Sequence, residues 1–90
     1  MDFTNKYLYR DESSVSSKIE NESYILNLKT NEYLKLNQTA SFIWSLLESK
    51  HIYSSIVEEC KSRFKGFDEL GLQQFLKTAI SKGIIVIDEN

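Results

Sequence analysis

The stretch Tyr24-Ile25-Leu26-Asn27-Leu28-Lys29-Thr30-Asn31-Glu32-Tyr33-Leu34-Lys35-Leu36-Asn37-Gln38-Thr39-Ala40-Ser41-Phe42-Ile43-Trp44 decides the fold, because its apolar period changes at Asn37. Tyr24, Leu26 and Leu28 alternate with other residues, as in a strand. Lys29-Thr30-Asn31 is a polar turn. Leu34 and Leu36 then point to one face, with Tyr33 and Lys35 on the other. After Asn37 the spacing becomes helical: Ala40, Ile43, Trp44 and Leu47 fall at i, i+3, i+4 and i+7. Asn37 itself is placed to cap that helix, its side chain accepting from a first-turn N–H.

Working outward, Val15, Ser17 and Ile19 alternate ahead of a turn-like Glu20-Asn21-Glu22. Residues 15–36 therefore read as a three-stranded antiparallel meander. Three helices follow, over about 38–49, 54–65 and 69–82. Ser54 or Ser55 caps the second, with Ile56, Val57, Cys60 and Phe64 inward and Gly66 at its end. Asp68 caps the third, whose inward stripe is Leu72, Phe75, Leu76 and Ala79, with Gly83 closing it. Ile84 to Ile87 is a terminal strand or an extended tail. Residues 1–14, polar apart from Phe3, Tyr7, Leu8 and Tyr9, read as an N-terminal arm ordered only if those side chains dock, ahead of a domain over 15–90. The expected class is α+β, a three-stranded sheet followed by three helices (βββααα), similar to a winged helix-turn-helix with the wing moved to the front.

Ninety residues make one domain with a small core. The net charge of −2 argues against a chain built to neutralise nucleic-acid phosphates or to lie on an anionic membrane. One cysteine allows neither an internal disulfide nor a cysteine zinc cage, and one histidine leaves little for a metal site. No apolar run approaches the length of a membrane span, and the first residues carry no signal-peptide core, so a cytoplasmic protein is expected.

Candidates for chemistry are few. His51 follows the first helix, and nothing in the sequence sets it against Cys60, which lies on an inward stripe. The carboxylates Asp11-Glu12, Glu20, Glu22, Glu58-Glu59, Asp68-Glu69 and Asp88-Glu89 read as solvated surface. Gly66, Gly71 and Gly83 lack phosphate-loop spacing. No enzyme, cofactor or metal is expected. A winged-helix DNA-binding protein is the alternative, but the third helix carries only Lys77 and Lys82 as cations and no arginine. What remains is the strand Tyr33–Leu36, which as a sheet edge can accept a peptide as an extra strand. The third helix beside it would wall the groove with Leu76 and Ile80, and Gln73 and Lys77 lie along the same side. Self-association through that edge is a third possibility.

The run from Tyr24 to Trp44 resembles the PqqD family, also called the RiPP recognition element, through Leu36-Asn37 and Ile43-Trp44. Phe75-Leu76, Gly83 and Ile84-Ile85 match its later pattern, and the resemblance spans about residues 15–87. Three departures stand out: Ala79 where the family usually has Leu, Gly71 where an acidic residue is common, and Asn21 and Asn31 in place of frequent turn glycines. The resemblance implies a non-catalytic peptide chaperone. It would bind the leader of a ribosomally made precursor peptide as a strand added to the third strand, against the third helix. The implied site is Glu32, Tyr33, Leu34, Lys35 and Leu36 on the strand, with Gln73, Leu76, Lys77 and Ile80 on the helix. The implied partners are the precursor leader peptide and a leader peptidase or radical-SAM maturase to which the peptide is presented. Lasso-peptide maturation is preferred among pathways, since stand-alone members are common there.

Overall fold

The computed structural model describes residues 2–88; Met1, Glu89 and Asn90, which complete the expected arm and domain, lie outside the described residues. The elements run β1 (Tyr7–Arg10), β2 (Ser14–Ile19), β3 (Glu22–Asn27), β4 (Tyr33–Leu36), α1 (Gln38–Leu46), β5 (His51–Ile52), α2 (Tyr53–Arg63), α3 (Glu69–Ser81) and β6 (Ile85–Asp88). The class is α+β, with the meander ahead of the three helices as the sequence predicts. The meander is an antiparallel sheet of order β2-β3-β4, and a second antiparallel sheet has order β5-β1-β6.

Turns and caps explain where the elements stop. Glu20 and Asn21 both sit at positive φ, as a two-residue type I′ hairpin requires, and they join Ile19 to its partner Glu22. Asn37 Oδ1 accepts from Ala40 N at 2.8 Å, and Asp68 Oδ1 accepts from Leu70 N at 3.1 Å. The end of α3 is a Schellman turn: with Gly83 at φ 71°, its N–H donates to Ile80 O and that of Ile84 donates to Ala79 O. α1 ends three residues sooner than its apolar spacing suggests. There the N–H groups of Leu47, Glu48 and Ser49 donate to carbonyls three residues back, tightening the chain into 3₁₀ turns. α2 starts at Tyr53 and uses neither Ser54 nor Ser55 as its cap. Its first N–H donates instead to Lys6 O at 2.9 Å, so the N-terminal segment supplies the partner.

That segment differs most from expectation. The residues read as an arm provide β1, the middle strand of the second sheet, paired with β5 and with β6. Phe3 and Leu8 are buried, and the Phe3 ring stacks on Tyr53 with centroids 5.4 Å apart. Tyr7 and Tyr9 face outward, within 5.6 Å of Lys50 Nζ, and Lys50 is also paired with Asp88. The tail after Gly83 is β6, held by β1. Arg10 then ties this sheet to α1: Nε and Nη2 donate to Trp44 O at 3.0 and 2.5 Å, and the guanidinium stands 4.1 Å from the Trp44 ring centroid.

The core joins both sheets to the helices through Ile25, Leu36, Ile43, Trp44, Ile56, Leu72, Leu76 and Ile84. Among the described residues one polar side chain is buried beside it, that of Asn27. Asn27 Nδ2 donates to Gly83 O at 2.7 Å and to Asp11 Oδ2 at 3.3 Å, while its Oδ1 accepts from the N–H groups of Lys29 and Thr30. Asn27 thus shapes the β3–β4 turn and fastens it to the end of α3.

Candidate functional site

Among the described residues β4 is an edge strand, paired with β3 alone. The bond from Asn27 N to Glu32 O sets the phase of that ladder. Because bonded and non-bonded pairs alternate, Leu34 and Leu36 exchange hydrogen bonds with Ile25 and Ser23. The main-chain N–H and C=O groups of Tyr33 and Lys35 therefore face away from the sheet. Side chains follow the same alternation. Leu36 is buried and Leu34 half-buried on the helix side, whereas Tyr33, 62% exposed, and Lys35 lie on the open face. The Tyr33 ring rests against Tyr24, with centroids 6.3 Å apart.

Alongside β4 runs a groove of about 650 Å³. Its β4 side is Lys35, Leu36 and Asn37, its floor includes Ala40 and Ile43 of α1, and its far wall is Phe64 to Asp68 with Gly71, Leu72 and Phe75. Phe64 meets Phe42 edge-on at 5.5 Å. α3 runs antiparallel to β4: Gly71, Leu72 and Phe75 share the groove with Lys35 and Leu36, and Lys82 at the other end reaches Glu32 at 3.3 Å. A second ion pair, Lys35 to Glu22 at 3.2 Å, stands at the rim. Gly71, Phe75 and Lys82 follow one another along one side of the helix at i, i+4 and i+11.

The residues expected from the sequence separate into two groups. Glu32, Tyr33, Leu34, Lys35 and Leu36 lie on or immediately before the free strand. The helix residues do not gather opposite them. Leu76 is fully buried, so its side chain belongs to the core. Gln73 donates to the Tyr53 hydroxyl at 3.2 Å, which places it on the flank of α3 away from β4. Ile80 shares that flank by helical spacing and packs half-buried against the core, and Lys77 is exposed. The flank that borders β4 is Gly71, Phe75 and Lys82. An apolar stripe marks the buried side of a helix, but it does not say which of its two flanks abuts a neighbouring strand. The sequence shows Phe75 as apolar and places it on the core stripe; a glycine one helical turn before a phenylalanine is the sequence signal that marks this flank.

The candidates for covalent chemistry can be placed one by one. Cys60 is buried, and burial pushes its thiol up, which disfavours the reactive thiolate. His51 Nδ1 lies 3.0 Å from Ser49 O. The Tyr53 hydroxyl donates to Glu69 Oε2 at 2.7 Å; burial first, and then this bond, push it up to about 12. Among the described residues no group of three or more His, Cys, Asp or Glu could hold a metal ion, and no helix is long and apolar enough to cross a membrane. The arrangement suits binding an extended chain, with polar main-chain groups along one edge and aromatic walls beside them.

Comparison with curated proteins gave no match, and neither did comparison with solved structures, so the winged-helix likeness rests on the order of elements alone. The family model described as Coenzyme PQQ synthesis protein D (PqqD) matches residues 22–85, from the start of β3 into β6, and so includes the free strand, the groove and α3. With more than half of its length matched, the chain belongs to the PqqD family, whose members are non-catalytic accessory proteins that recognise ribosomally made precursor peptides.

Proposed function

We propose that this protein binds the leader segment of a precursor peptide as an added strand on β4 and presents it to a modifying enzyme. The observation that carries the reading is the unpaired edge of β4 beside an aromatic groove, in a chain of this family. An added strand would exchange hydrogen bonds with Tyr33 and Lys35. Its residues opposite Leu34 and Leu36 would then point into the groove, and their neighbours would face solvent. The leader is therefore read at alternate positions. Glu32, Tyr33, Leu34, Lys35 and Leu36 form the strand side of the site; Gly71, Phe75 and Lys82 replace Gln73, Leu76, Lys77 and Ile80 as the helix side.

Magnitudes show where affinity must come from. The main-chain bonds at Tyr33 and Lys35 are worth together about 2–6 kcal/mol net. A micromolar complex needs about 8 kcal/mol, after the cost of ordering a flexible peptide. Each large apolar side chain seated among Phe64, Phe67 and Phe75 adds about 1.5–3 kcal/mol. Apolar anchors at alternate positions thus decide whether a leader binds. The partner enzyme is a leader peptidase or a radical-SAM maturase, with lasso-peptide maturation preferred and a cytoplasmic setting.

The test is an NMR titration of the labelled protein with the precursor peptide encoded nearest to its gene. Shifts centred on Tyr33–Leu36, Gly71 and Phe75 are expected. Shifts confined to Gln73, Lys77 and Ile80 would move the peptide to the other flank of α3. An absence of shifts at peptide concentrations well above micromolar would remove the reading, and a salt-steep affinity for duplex DNA would replace it.

A further inference from the structure

We infer that Gly71 is a specificity-determining residue: by withholding a side chain from the groove wall, it leaves a notch that accepts a large apolar side chain of the bound peptide. The inference rests on the peptide-binding reading above and deepens it.

The argument proceeds by elimination. Gly71 lies in the third position of the thirteen-residue helix α3, where glycine is a poor helix former. Glycine inside an element has a small number of structural uses. One is positive φ, which Gly66 and Gly83 show and Gly71 does not. Another is a close approach of neighbouring backbone. The three atoms nearest a Cβ built on Gly71 all belong to the Asp68 side chain, the closest at 3.4 Å, an ordinary contact with no neighbouring backbone nearer. A third is helix termination, and α3 continues for ten more residues. None of these uses applies, so the fold itself tolerates a side chain here.

What a side chain would change is the groove. Gly71 lines it together with Phe67, Leu72 and Phe75, across from Lys35 and Leu36. Phe75 is one turn further along the same flank, so the missing side chain leaves a recess in a wall that also carries Phe67 and Phe75. The peptide residue opposite Leu36 points towards this recess. Its chemistry selects an aromatic or long aliphatic side chain. A small residue would leave the recess unfilled, and a carboxylate would meet the Asp68 carboxylate at the notch.

The experiment is selection of a displayed library of random twelve-residue peptides on wild-type protein and on Gly71→Leu, with Gly71→Ala and Phe75→Asp as companions. Both Gly71 variants should stay folded, and Gly71→Ala should melt about 4–8 °C higher, as expected for glycine replaced within a helix. Wild type should enrich peptides with a large apolar residue at one of two alternating positions. Gly71→Leu should lose those peptides at least tenfold and favour a small residue at that position. Two results would overturn the inference. If peptides are retained by wild type and lost with Phe75→Asp, yet Gly71→Leu keeps the wild-type preference, the groove binds peptide and Gly71 does not select it. If wild type retains no peptide above background, the peptide-binding reading fails and the inference falls with it.

Discussion

Lys35→Pro separates strand addition from every other way of using this surface. The Lys35 N–H points away from β3, so proline at this position removes a group that the folded protein leaves unpaired within its sheet. Folding should lose little beyond the exposed Lys35–Glu22 ion pair, worth about 0.2–1 kcal/mol. A strand added to β4 would lose one hydrogen bond, and its own carbonyl would be buried without a donor, which costs about 1–3 kcal/mol. The dissociation constant for the leader should therefore rise about 5- to 150-fold. Lys35→Ala, which removes the same charge and keeps the N–H, should change binding far less. Leu34→Pro is the opposite control: its N–H bonds to Ile25 and its side chain is half-buried, so it should destabilise the fold by about 2–5 kcal/mol. Fluorescence anisotropy of a labelled leader gives the affinities and thermal melts give the stabilities. If folded Lys35→Pro binds as tightly as Lys35→Ala, no strand is added at β4.

Three further outcomes follow from the packing. Arg10→Ala removes both hydrogen bonds to Trp44 O and the cation–π contact, and should lower unfolding free energy in urea by about 2–3 kcal/mol; a loss below about 0.5 kcal/mol would mean the contact is dispensable. Asn27→Ala should destabilise by about 2–3 kcal/mol, because the Gly83 carbonyl and the N–H groups of Lys29 and Thr30 lose their partner together; unchanged urea midpoints would refute this. Tyr53, raised to about 12 in the folded protein, contributes stability that is complete below its unfolded value near pH 10 and is lost as pH rises through 12. The stability difference between wild type and Tyr53→Phe should accordingly shrink between pH 10 and 12, and a constant difference would show that the burial of this hydroxyl is not linked to folding.

How much was legible in the sequence depended on whether the deciding contact was local. Asn37, Asp68 and Gly83 satisfy backbone groups within five residues of themselves, so the limits they set could be read directly. The hairpin at Glu20-Asn21 was legible for the same reason. β1 was not: Tyr7–Arg10 is short, carries two outward tyrosines, and becomes a strand only through partners more than forty residues away. The start of α2 was hidden likewise, since the carbonyl that meets its first N–H belongs to Lys6. Nothing local marks Asn27 as buried, because its partners Gly83 and Asp11 lie far along the chain. At the candidate site the strand half could be placed from alternation alone. The helix half needed the direction in which α3 crosses the sheet, which no residue on α3 encodes by itself.

The antiparallel pairing of β1 with β6 also determines how the molecule responds to being pulled. Tyr7 stands opposite Asp88, so β1 begins and β6 finishes at the same end of one ladder. With Phe3 anchored against Tyr53, tension on the Asp88 end of β6 opens the Tyr7–Asp88 pair first, then Leu8–Ile87, then Tyr9–Val86, one rung after another. Such unzipping gives way at low force. An unfolding machine pulling on β6 would meet a weak mechanical direction there, and the lost rungs uncover Leu8 and then the buried Ile85 before the meander bears any load.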